Sequence, residues 1–286
     1  MKAISKPEWL KRKITATADL GNVRNAIRDA DLHTVCREAR CPNRNLCYGK
    51  GQATFLIMGD VCTRNCSFCA ISHGVPSPLD PGEPRRVAEA AKRMSLEYVV
   101  VTSVTRDDLA DGGAAHFAAT IRQLREILPD AGIEVLTPDF RGDFAALQTV
   151  LNEKPDVFNH NVETIPLLYD KVRPQADFSR SLAMLDYAAR NSGCIVKSGF
   201  MVGLGETTED IFALMASLRA SGVNVVTIGQ YLQPTRAHLP VARYLSPSEF
   251  DELARLGQSE FGFKKVFAAP LVRSSFMARD LWQGTK

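Results

Sequence analysis

Short apolar runs rich in β-branched residues recur along most of this 286-residue chain, and stretches long enough for a helix separate them. The runs cover residues 54–58, 98–103, 133–137, 157–162, 195–202 and 225–232. Strands that alternate with helices pair in parallel, because each crossover helix returns the chain to the same end of the sheet. The pattern therefore predicts an α/β fold around a parallel sheet built from these six runs.

Polar residues cluster where these strands are predicted to end. They are Thr102, Ser103, Thr137, Asn161, Glu163 and Gln230. In a barrel of parallel strands the carboxyl ends form the active face, so the pattern favours a partial (β/α)6 barrel over a doubly wound sheet. We expect an N-terminal extension over residues 1–52, the barrel over 53–258, and a C-terminal tail over 259–286 that covers the barrel without a further strand–helix unit.

Composition argues against several classes of function. The formal net charge of +3, without a long run of Lys and Arg, disfavours nucleic-acid binding. No segment approaches the ~18 consecutive apolar residues of a membrane span, and the N-terminus lacks the apolar stretch of a secretory signal, so we expect a cytoplasmic protein. Because cytoplasmic thiols stay reduced, the seven cysteines are expected to bind metal rather than form disulfides.

Three cysteines follow the first predicted strand at the spacing C-x3-C-x2-C, namely Cys62, Cys66 and Cys69. Thiolates at these intervals suit a [4Fe-4S] cluster, and three of them leave the fourth iron without a protein ligand. The amino and carboxylate groups of an amino acid can chelate that iron. A zinc site is the alternative, but a closed structural zinc site prefers four ligands.

A second set of cysteines precedes the barrel at the spacing C-x4-C-x5-C, namely Cys36, Cys41 and Cys47. On spacing alone these thiols could hold another cluster, form a zinc site without a visible fourth ligand, or be buried without a metal. The remaining cysteine, Cys194, lies next to a predicted strand and is expected to be a buried thiol.

The C-x3-C-x2-C spacing, the aromatic Phe68 before its last cysteine and the partial barrel are together similar to the radical S-adenosylmethionine (SAM) superfamily. Within it, the pairing of C-x4-C-x5-C with Arg273-Ser274-Ser275 resembles the lipoyl synthase family. Further similar segments lie at residues 6–10, 102–108, 111–113, 159–164, 172–174, 197–199, 201–207 and 229–235. Phe276 departs from the family, which usually has tyrosine there.

The resemblance implies two [4Fe-4S] clusters with different tasks. One, on the C-x3-C-x2-C motif, would cleave SAM to methionine and a 5′-deoxyadenosyl radical. The other, an auxiliary cluster on the C-x4-C-x5-C motif and Ser275, would be dismantled as the sulfur source. The implied substrate is an octanoyl group on a lysine of a lipoyl carrier domain, with sulfur inserted at carbons 6 and 8, and electrons would come from a donor such as a ferredoxin or flavodoxin.

The candidate SAM contacts are Phe68, Asn161, Glu163, Arg173, Lys197, Gly203 and Gly205. Asn161 and Glu163, two residues apart in a strand, share one face and could bind the ribose or amino group. The two cations could bind the carboxylate, and the two glycines would allow close backbone approach. For each polar residue taken singly, hydrogen bonding within the barrel loops is an equally open interpretation. At the level of function, methylthiotransferases, biotin synthase-like proteins and a non-catalytic iron–sulfur carrier remain alternatives.

Overall fold

The computed structural model describes residues 5–11 and 18–283, and a mostly parallel sheet of eight strands lies at their centre. The strands are β1 (His33–Thr34), β2 (Thr54–Ile57), β3 (Val61–Cys62), β4 (Ser72–His73), β5 (Tyr98–Ser103), β6 (Gly132–Leu136), β7 (Val157–Asn159), β8 (Ile195–Val202), β9 (Val225–Gln230) and β10 (Lys265–Ala269). Their order in the large sheet is β1-β2-β5-β6-β7-β8-β9-β10, and β3 pairs with β4 in a separate small sheet. Among the described strands, the β1–β2 pair alone is antiparallel.

Helices connect the parallel strands in sequence. They are α1 (Ala18–Asp29), α2 (Val35–Glu38), α3 (Arg44–Tyr48), α4 (Glu83–Arg93), α5 (Ala114–Ile127), α6 (Phe144–Leu151), α7 (Tyr169–Val172), α8 (Phe178–Asn191), α9 (Thr208–Ala220), α10 (Pro247–Ser259) and α11 (Ala278–Gln283). Every crossover from β2 to β10 contains at least one of them, so the parallel strands all begin at one end of the sheet and finish at the other.

The six predicted runs all form strands of the large sheet. The partial (β/α)6 barrel is therefore confirmed, and within the described residues the sheet stays open, with β1 and β10 at its edges. Strand β10 was not predicted: it lies in the C-terminal tail, where the sequence predicts no further strand–helix unit, and it pairs in parallel with β9. Five residues suffice for it, because the last strand of a sheet needs no crossover helix after it.

Both predicted extensions join the large sheet, the N-terminal one through β1 and the C-terminal one through β10. The boundaries at residues 52 and 258 stay a prediction, and residues 1–4, 12–17 and 284–286 of the extensions lie outside the described residues. No helix in the described part of the chain is long and apolar enough to cross a lipid bilayer.

The carboxyl end of β2 is fixed by side chains from two helices. The Glu83 carboxylate of α4 accepts a hydrogen bond from the backbone N–H of Met58 at 2.8 Å and lies 2.7 Å from Nε2 of His116 in α5. All three residues are buried. The direction in which the chain leaves β2 is therefore set before it enters the loop that carries the first cysteine motif.

Candidate active site

The C-x3-C-x2-C cysteines lie on the loop that follows β2, and backbone hydrogen bonds fix this loop to the carboxyl end of the sheet. The N–H of Thr63 donates to the carbonyl of Thr105 at 3.0 Å, and that of Ser67 donates to the carbonyl of Val172 at 3.1 Å. Sγ of Cys62 accepts a hydrogen bond from the N–H of Thr105 at 3.3 Å. The loop is thus bonded to the segment that follows β5 and to the last residue of α7.

A buried charge cluster anchors the same loop through Arg64, which lies between the first two cysteines. Its guanidinium donates to both carboxylate oxygens of Asp107, at 2.7 and 2.9 Å, and to Asp139 at 2.6 Å. Asp139 is fully buried and also accepts from Arg180 at 3.2 Å. Burial by itself would raise the pKa of Asp139, but the bonds from Arg64 lower it to about 2, so the carboxylate stays charged.

Burial keeps several motif thiols protonated in the absence of a cation. It raises the pKa of Cys69 to about 12 and that of Cys36 to about 11, and it also raises the pKa of Cys66. Iron binds thiolates, so loading these sites displaces protons, and the positive irons supply the charge that stabilises the buried sulfur anions.

The C-x4-C-x5-C cysteines lie beside the start of β2, and Ser275 joins them there. Cys36 is in α2, Cys41 in the loop after it and Cys47 in α3. Thr54, the first residue of β2, hydrogen-bonds Cys36 and donates to Oγ of Ser275 at 2.8 Å. A serine 221 residues away from Thr54 in sequence is thereby brought to the cysteine set, as the resemblance implies.

One cavity of about 510 Å³ connects the two motifs. Its wall includes five of the six motif cysteines together with Ser275. The sixth, Cys47, lines a smaller cavity of about 140 Å³, which shares Cys36, Cys41 and Ser275 with the larger one. Molecules bound at the two motifs would therefore face the same cavity.

The wall of the larger cavity contains buried polar atoms without a hydrogen-bond partner among the described residues. They are Oγ of Ser103, Oγ1 of Thr137, Oδ1 of Asn161 and Nε of Arg173. Buried polar atoms are seldom left unpaired in native proteins. The cavity is thus suited to a ligand with donors and acceptors of its own, and SAM, with amino, carboxylate and ribose groups, fits this chemistry.

The cysteine sulfurs fit a cluster better than a single zinc ion. Zn–S bonds of about 2.3 Å hold the sulfur ligands of one ion within about 4 Å of one another. Within the described residues, the group of three metal-ligating side chains whose donor atoms all lie within 4.8 Å is His33, Glu38 and Asp60, and neither cysteine set meets that limit. A four-iron cluster is larger than one ion and suits the wider spacing.

Four of the predicted SAM contacts line this cavity: Phe68, Asn161, Glu163 and Arg173. Nδ2 of Asn161 donates to Glu163 at 3.0 Å, and the Arg173 guanidinium donates to the carbonyls of Asn161 and Val162 at 3.0 and 3.1 Å. Glu163 has a left-handed backbone with φ of +66°, a conformation that is uncommon for residues other than glycine. Burial raises the pKa of its carboxyl group.

Three other predicted SAM contacts, Lys197, Gly203 and Gly205, are not part of the cavity wall. The Lys197 ammonium binds a buried carboxylate and a carbonyl of the C-terminal tail. The N–H groups of both glycines donate to the carboxylate of Glu206. A SAM contact by any of the three stays a prediction.

The sequence patterns did not single out Thr54, Arg64 or Glu134. Arg64 carries a recognisable signal, because a charged residue inside a cysteine motif has to be neutralised once the loop is buried. Glu134 carries one as well, since it is the one charged residue of the otherwise apolar strand β6. Thr54 looks like an ordinary β-branched strand residue and has no such signal.

The fold is shared with several solved structures. Streptococcus suis SuiB bound to S-adenosylmethionine superposes with a TM-score of 0.57 at 12% identity, over 80% of this chain and 54% of that one. Methylornithine synthase (PylB) gives 0.53 at 16% identity, over 88% and 74%. HydG, a maturase of the [FeFe]-hydrogenase, gives 0.57 at 13% identity, over 84% and 62%. Identities this low establish a common fold and nothing more.

A family model of the radical SAM superfamily matches residues 56–218, more than half of the chain. Together with the open barrel and the three-cysteine loop, this match makes the chain a radical SAM enzyme. The lipoyl synthases of Rubrobacter xylanophilus, Oleidesulfovibrio alaskensis and Caldicellulosiruptor saccharolyticus are 52%, 54% and 50% identical to it, over 96%, 95% and 98% of this chain and 86%, 93% and 98% of their own lengths. The chain belongs to the lipoyl synthase family.

Membership fixes the type of chemistry. A model of the N-terminal domain of lipoyl synthase matches residues 2–41, the region that contains the first two cysteines of the C-x4-C-x5-C motif. The chain is a sulfur-inserting enzyme, and its cofactors are SAM and two [4Fe-4S] clusters. Methylthiotransferases, biotin synthase-like proteins and a non-catalytic iron–sulfur carrier are thereby set aside.

Proposed function

We propose that this chain inserts two sulfur atoms, at carbons 6 and 8, into an octanoyl group that is amide-linked to a lysine of a lipoyl carrier domain. The observation that supports this most directly is the shared cavity, whose wall contains cysteines of both motifs together with Ser275. An alkyl chain in that cavity would lie within reach of both the radical source and the sulfur source. Lipoyl synthase relatives over nearly the whole chain support the same substrate.

Each cluster is assigned to one motif. Cys62, Cys66 and Cys69 would hold the cluster that binds SAM, because three ligands leave one iron open to an amino acid. Cys36, Cys41, Cys47 and Ser275 would hold the auxiliary cluster. A serine oxygen is a weak ligand for a soft iron–sulfur site, which suits an iron that has to be released during sulfur donation.

Cavity residues are assigned to the SAM groups by charge and position. Arg173 would bind the carboxylate, since Arg173 lines the cavity and its Nε has no hydrogen-bond partner within the described residues. Asn161 and Glu163 would bind the ribose or the amino group, and Phe68 would pack against the ligand beside the cluster loop. Lys197, Gly203 and Gly205 have other partners and do not line the cavity, so no group of SAM is assigned to them.

The bound cofactors would supply a 5′-deoxyadenosyl radical that removes hydrogen and a sulfide that replaces it. The protein contributes shielding. Leu56, Leu136 and Phe200 line the same cavity and would cover the octanoyl chain with apolar surface. Such surface keeps water and stray thiols away from a carbon radical.

Three further elements complete the proposal. A small electron-transfer protein of the ferredoxin or flavodoxin type would reduce the cluster on the C-x3-C-x2-C motif. The enzyme would act in the cytoplasm, where its thiols stay reduced. Residues 1–52 and 259–286 would act as extensions that supply the auxiliary cluster ligands to the barrel at residues 53–258.

Two cysteine variants test the assignment of the motifs. With SAM, a reductant and an octanoyl-lysine peptide, Cys36→Ala is expected to form 5′-deoxyadenosine but to leave the peptide without sulfur. Cys66→Ala is expected to do neither, because it loses the cluster that binds SAM. Mass spectrometry of the peptide and chromatography of the nucleoside measure the two products separately.

The matched control is Cys194→Ala, which removes a thiol that belongs to neither motif and is not part of the cavity wall. It is expected to keep both activities. Sulfur insertion by Cys36→Ala would show that the assigned auxiliary site is not the sulfur source. Loss of nucleoside formation in that variant would instead mean that the two sites are not separable.

A further inference from the structure

A lysine–glutamate ion pair is buried inside the barrel, and neither of its residues lines the cavity. Nζ of Lys197, on β8, lies 2.8 Å from Oε1 of Glu134, on β6, and both residues are 1% exposed. Asn159 donates to the same oxygen at 3.1 Å, and the Tyr98 hydroxyl donates to Oε2 at 2.8 Å. A buried ion pair is costly to desolvate and often adds no net stability over an apolar pair. A role other than stability is therefore needed to explain it.

The lysine has a second acceptor, in the C-terminal tail. Nζ of Lys197 donates to the backbone carbonyl of Ser274 at 2.6 Å. Nδ2 of Asn161 donates to the hydroxyl of the same serine at 2.5 Å, and Thr54 donates to the hydroxyl of Ser275 at 2.8 Å. Three donors, on β8, on β2 and in the loop after β7, thus hold two consecutive residues of the tail.

These contacts act on a segment that lacks regular structure of its own. Residues 270–277 lie between β10 and α11 and form only turns. One further contact reaches this segment from the cysteine side, where Nδ2 of Asn43 donates to the carbonyl of Leu271 at 2.6 Å. The position of Ser275 is consequently set by side chains outside the segment and not by a helix or strand that contains it.

We infer that Lys197 is a positioning residue that fixes Ser275 as the fourth ligand of the auxiliary site; the inference rests on the proposed function of Ser275. A serine oxygen binds iron weakly, so it can compete for the iron only if its place is already fixed and little conformational entropy is lost on binding. The hydrogen bond from a charged donor to the Ser274 carbonyl fixes the peptide unit next to the ligand. Glu134 in turn fixes the ammonium.

The test is a Mössbauer spectrum of the two-cluster enzyme, reconstituted with isotopically enriched iron and compared among variants. Ser275→Ala defines the spectrum of an auxiliary site without its serine. Lys197→Met is expected to shift the auxiliary spectrum towards that of Ser275→Ala, because loss of a hydrogen bond from a charged group lowers the ratio of serine-ligated to unligated sites about tenfold. SAM binding, measured by equilibrium dialysis, is expected to stay unchanged.

Two further variants keep the test decisive. Tyr98→Phe removes a hydrogen bond to the same Glu134 without touching the tail contact, and it is expected to retain the serine-ligated spectrum. Lys197→Met leaves Glu134 buried without its cation and can fail to fold for that reason alone. The double variant Lys197→Met/Glu134→Gln removes the charge of both partners and still leaves the carbonyl of Ser274 without the lysine donor. Its auxiliary spectrum is expected to resemble that of Ser275→Ala.

Different results would refute the positioning role of Lys197 and the ligand role of Ser275. If Ser275→Ala leaves the spectrum unchanged, the serine is not a ligand, and both fail. If Ser275→Ala changes the spectrum but both lysine variants that fold do not, the positioning role of Lys197 is wrong and the ligand stands. Weaker SAM binding with an intact auxiliary spectrum also overturns the inference, because Lys197 would then serve the SAM carboxylate.

Discussion

Replacing Arg64 with leucine tests whether the first cysteine loop depends on its buried charge cluster. The side chain of Arg64 is 4% exposed and that of Asp139 is 0% exposed. Three charge-assisted hydrogen bonds join Arg64 to Asp139 and Asp107. Without the guanidinium, the Asp139 carboxylate keeps Arg180, at 3.2 Å, as its charged partner among the described residues. We expect the folded chain to lose stability.

The size of the loss follows from two independent quantities. The pKa of Asp139 falls from an ordinary 3.8 to about 2, and a lowering of about 1.8 at 1.36 kcal/mol per pKa unit corresponds to about 2.5 kcal/mol. Removing one partner of a buried ion pair costs about 3–5 kcal/mol. Because Arg180 retains part of the interaction, we expect a loss of about 3 kcal/mol in the free energy of unfolding.

Urea unfolding of the reduced, metal-free chain at neutral pH measures this loss. The matched control is Arg85→Leu, which breaks the exposed Arg85–Glu89 pair on α4 and should leave the midpoint almost unchanged. The stabilisation of the carboxylate is present above pH 3.8 and is lost as the pH falls towards 2, so the two proteins should converge over that interval. A loss below about 1 kcal/mol, or one equal to that of the control, would refute the anchoring role.

Burial lowers the pKa of His160 from 6.5 to about 4, so about 3 kcal/mol of stability should be present above pH 6.5 and lost as the pH falls to 4. Urea unfolding at neutral pH and near pH 4 should show a loss of this size in the free energy of unfolding of the unmodified protein, and no such loss in His160→Gln. An equal loss in the variant would mean that another group causes it. Gly229→Ala should displace the C-terminal tail, because its Cβ would lie 2.2 Å from the carbonyl oxygen of Val272. We expect a loss of about 1–3 kcal/mol and fewer irons bound per chain. Gly21→Ala, in the open on α1, should do neither, and equal iron content in the two alanine variants would show that the tail tolerates the contact.

The sequence predicts those features of the fold and the site that depend on neighbours in sequence. Each barrel strand is a local run of apolar residues, and each cysteine motif lies within one short segment, so periodicity and spacing identify them. For the strands and the cysteine motifs, local preference and the final fold agree. Asn161 and Glu163, which the pattern places on one face of a strand, lie instead in the loop after β7, and the left-handed backbone of Glu163 is incompatible with a strand.

Contacts between distant segments are not predictable in this way. Arg64 and Asp139 are 75 residues apart, and Lys197 is 63 residues from Glu134 and 77 from Ser274. The spacing of charged residues in the sequence does not specify which of them pair, because the order of the strands in the sheet brings the partners together. Lys197 illustrates the consequence: the sequence suggests that this cation binds the carboxylate of SAM, while in the folded chain its ammonium lies between the Glu134 carboxylate and the tail.

The hydrogen bond between Thr54 and Ser275, 221 residues apart, affects the order in which the enzyme can be completed during its synthesis. A ribosome that adds about 5–20 residues per second needs about 10–45 s to travel from one to the other. The cysteines at residues 36–47 leave the ribosome early and wait for their fourth partner through most of translation. The loop at residues 62–69, in contrast, has all its cysteines together from the start. Iron–sulfur assembly factors acting on a nascent chain would thus meet the three cysteines of each motif before Ser275, and the serine ligation proposed for the auxiliary cluster would have to form last.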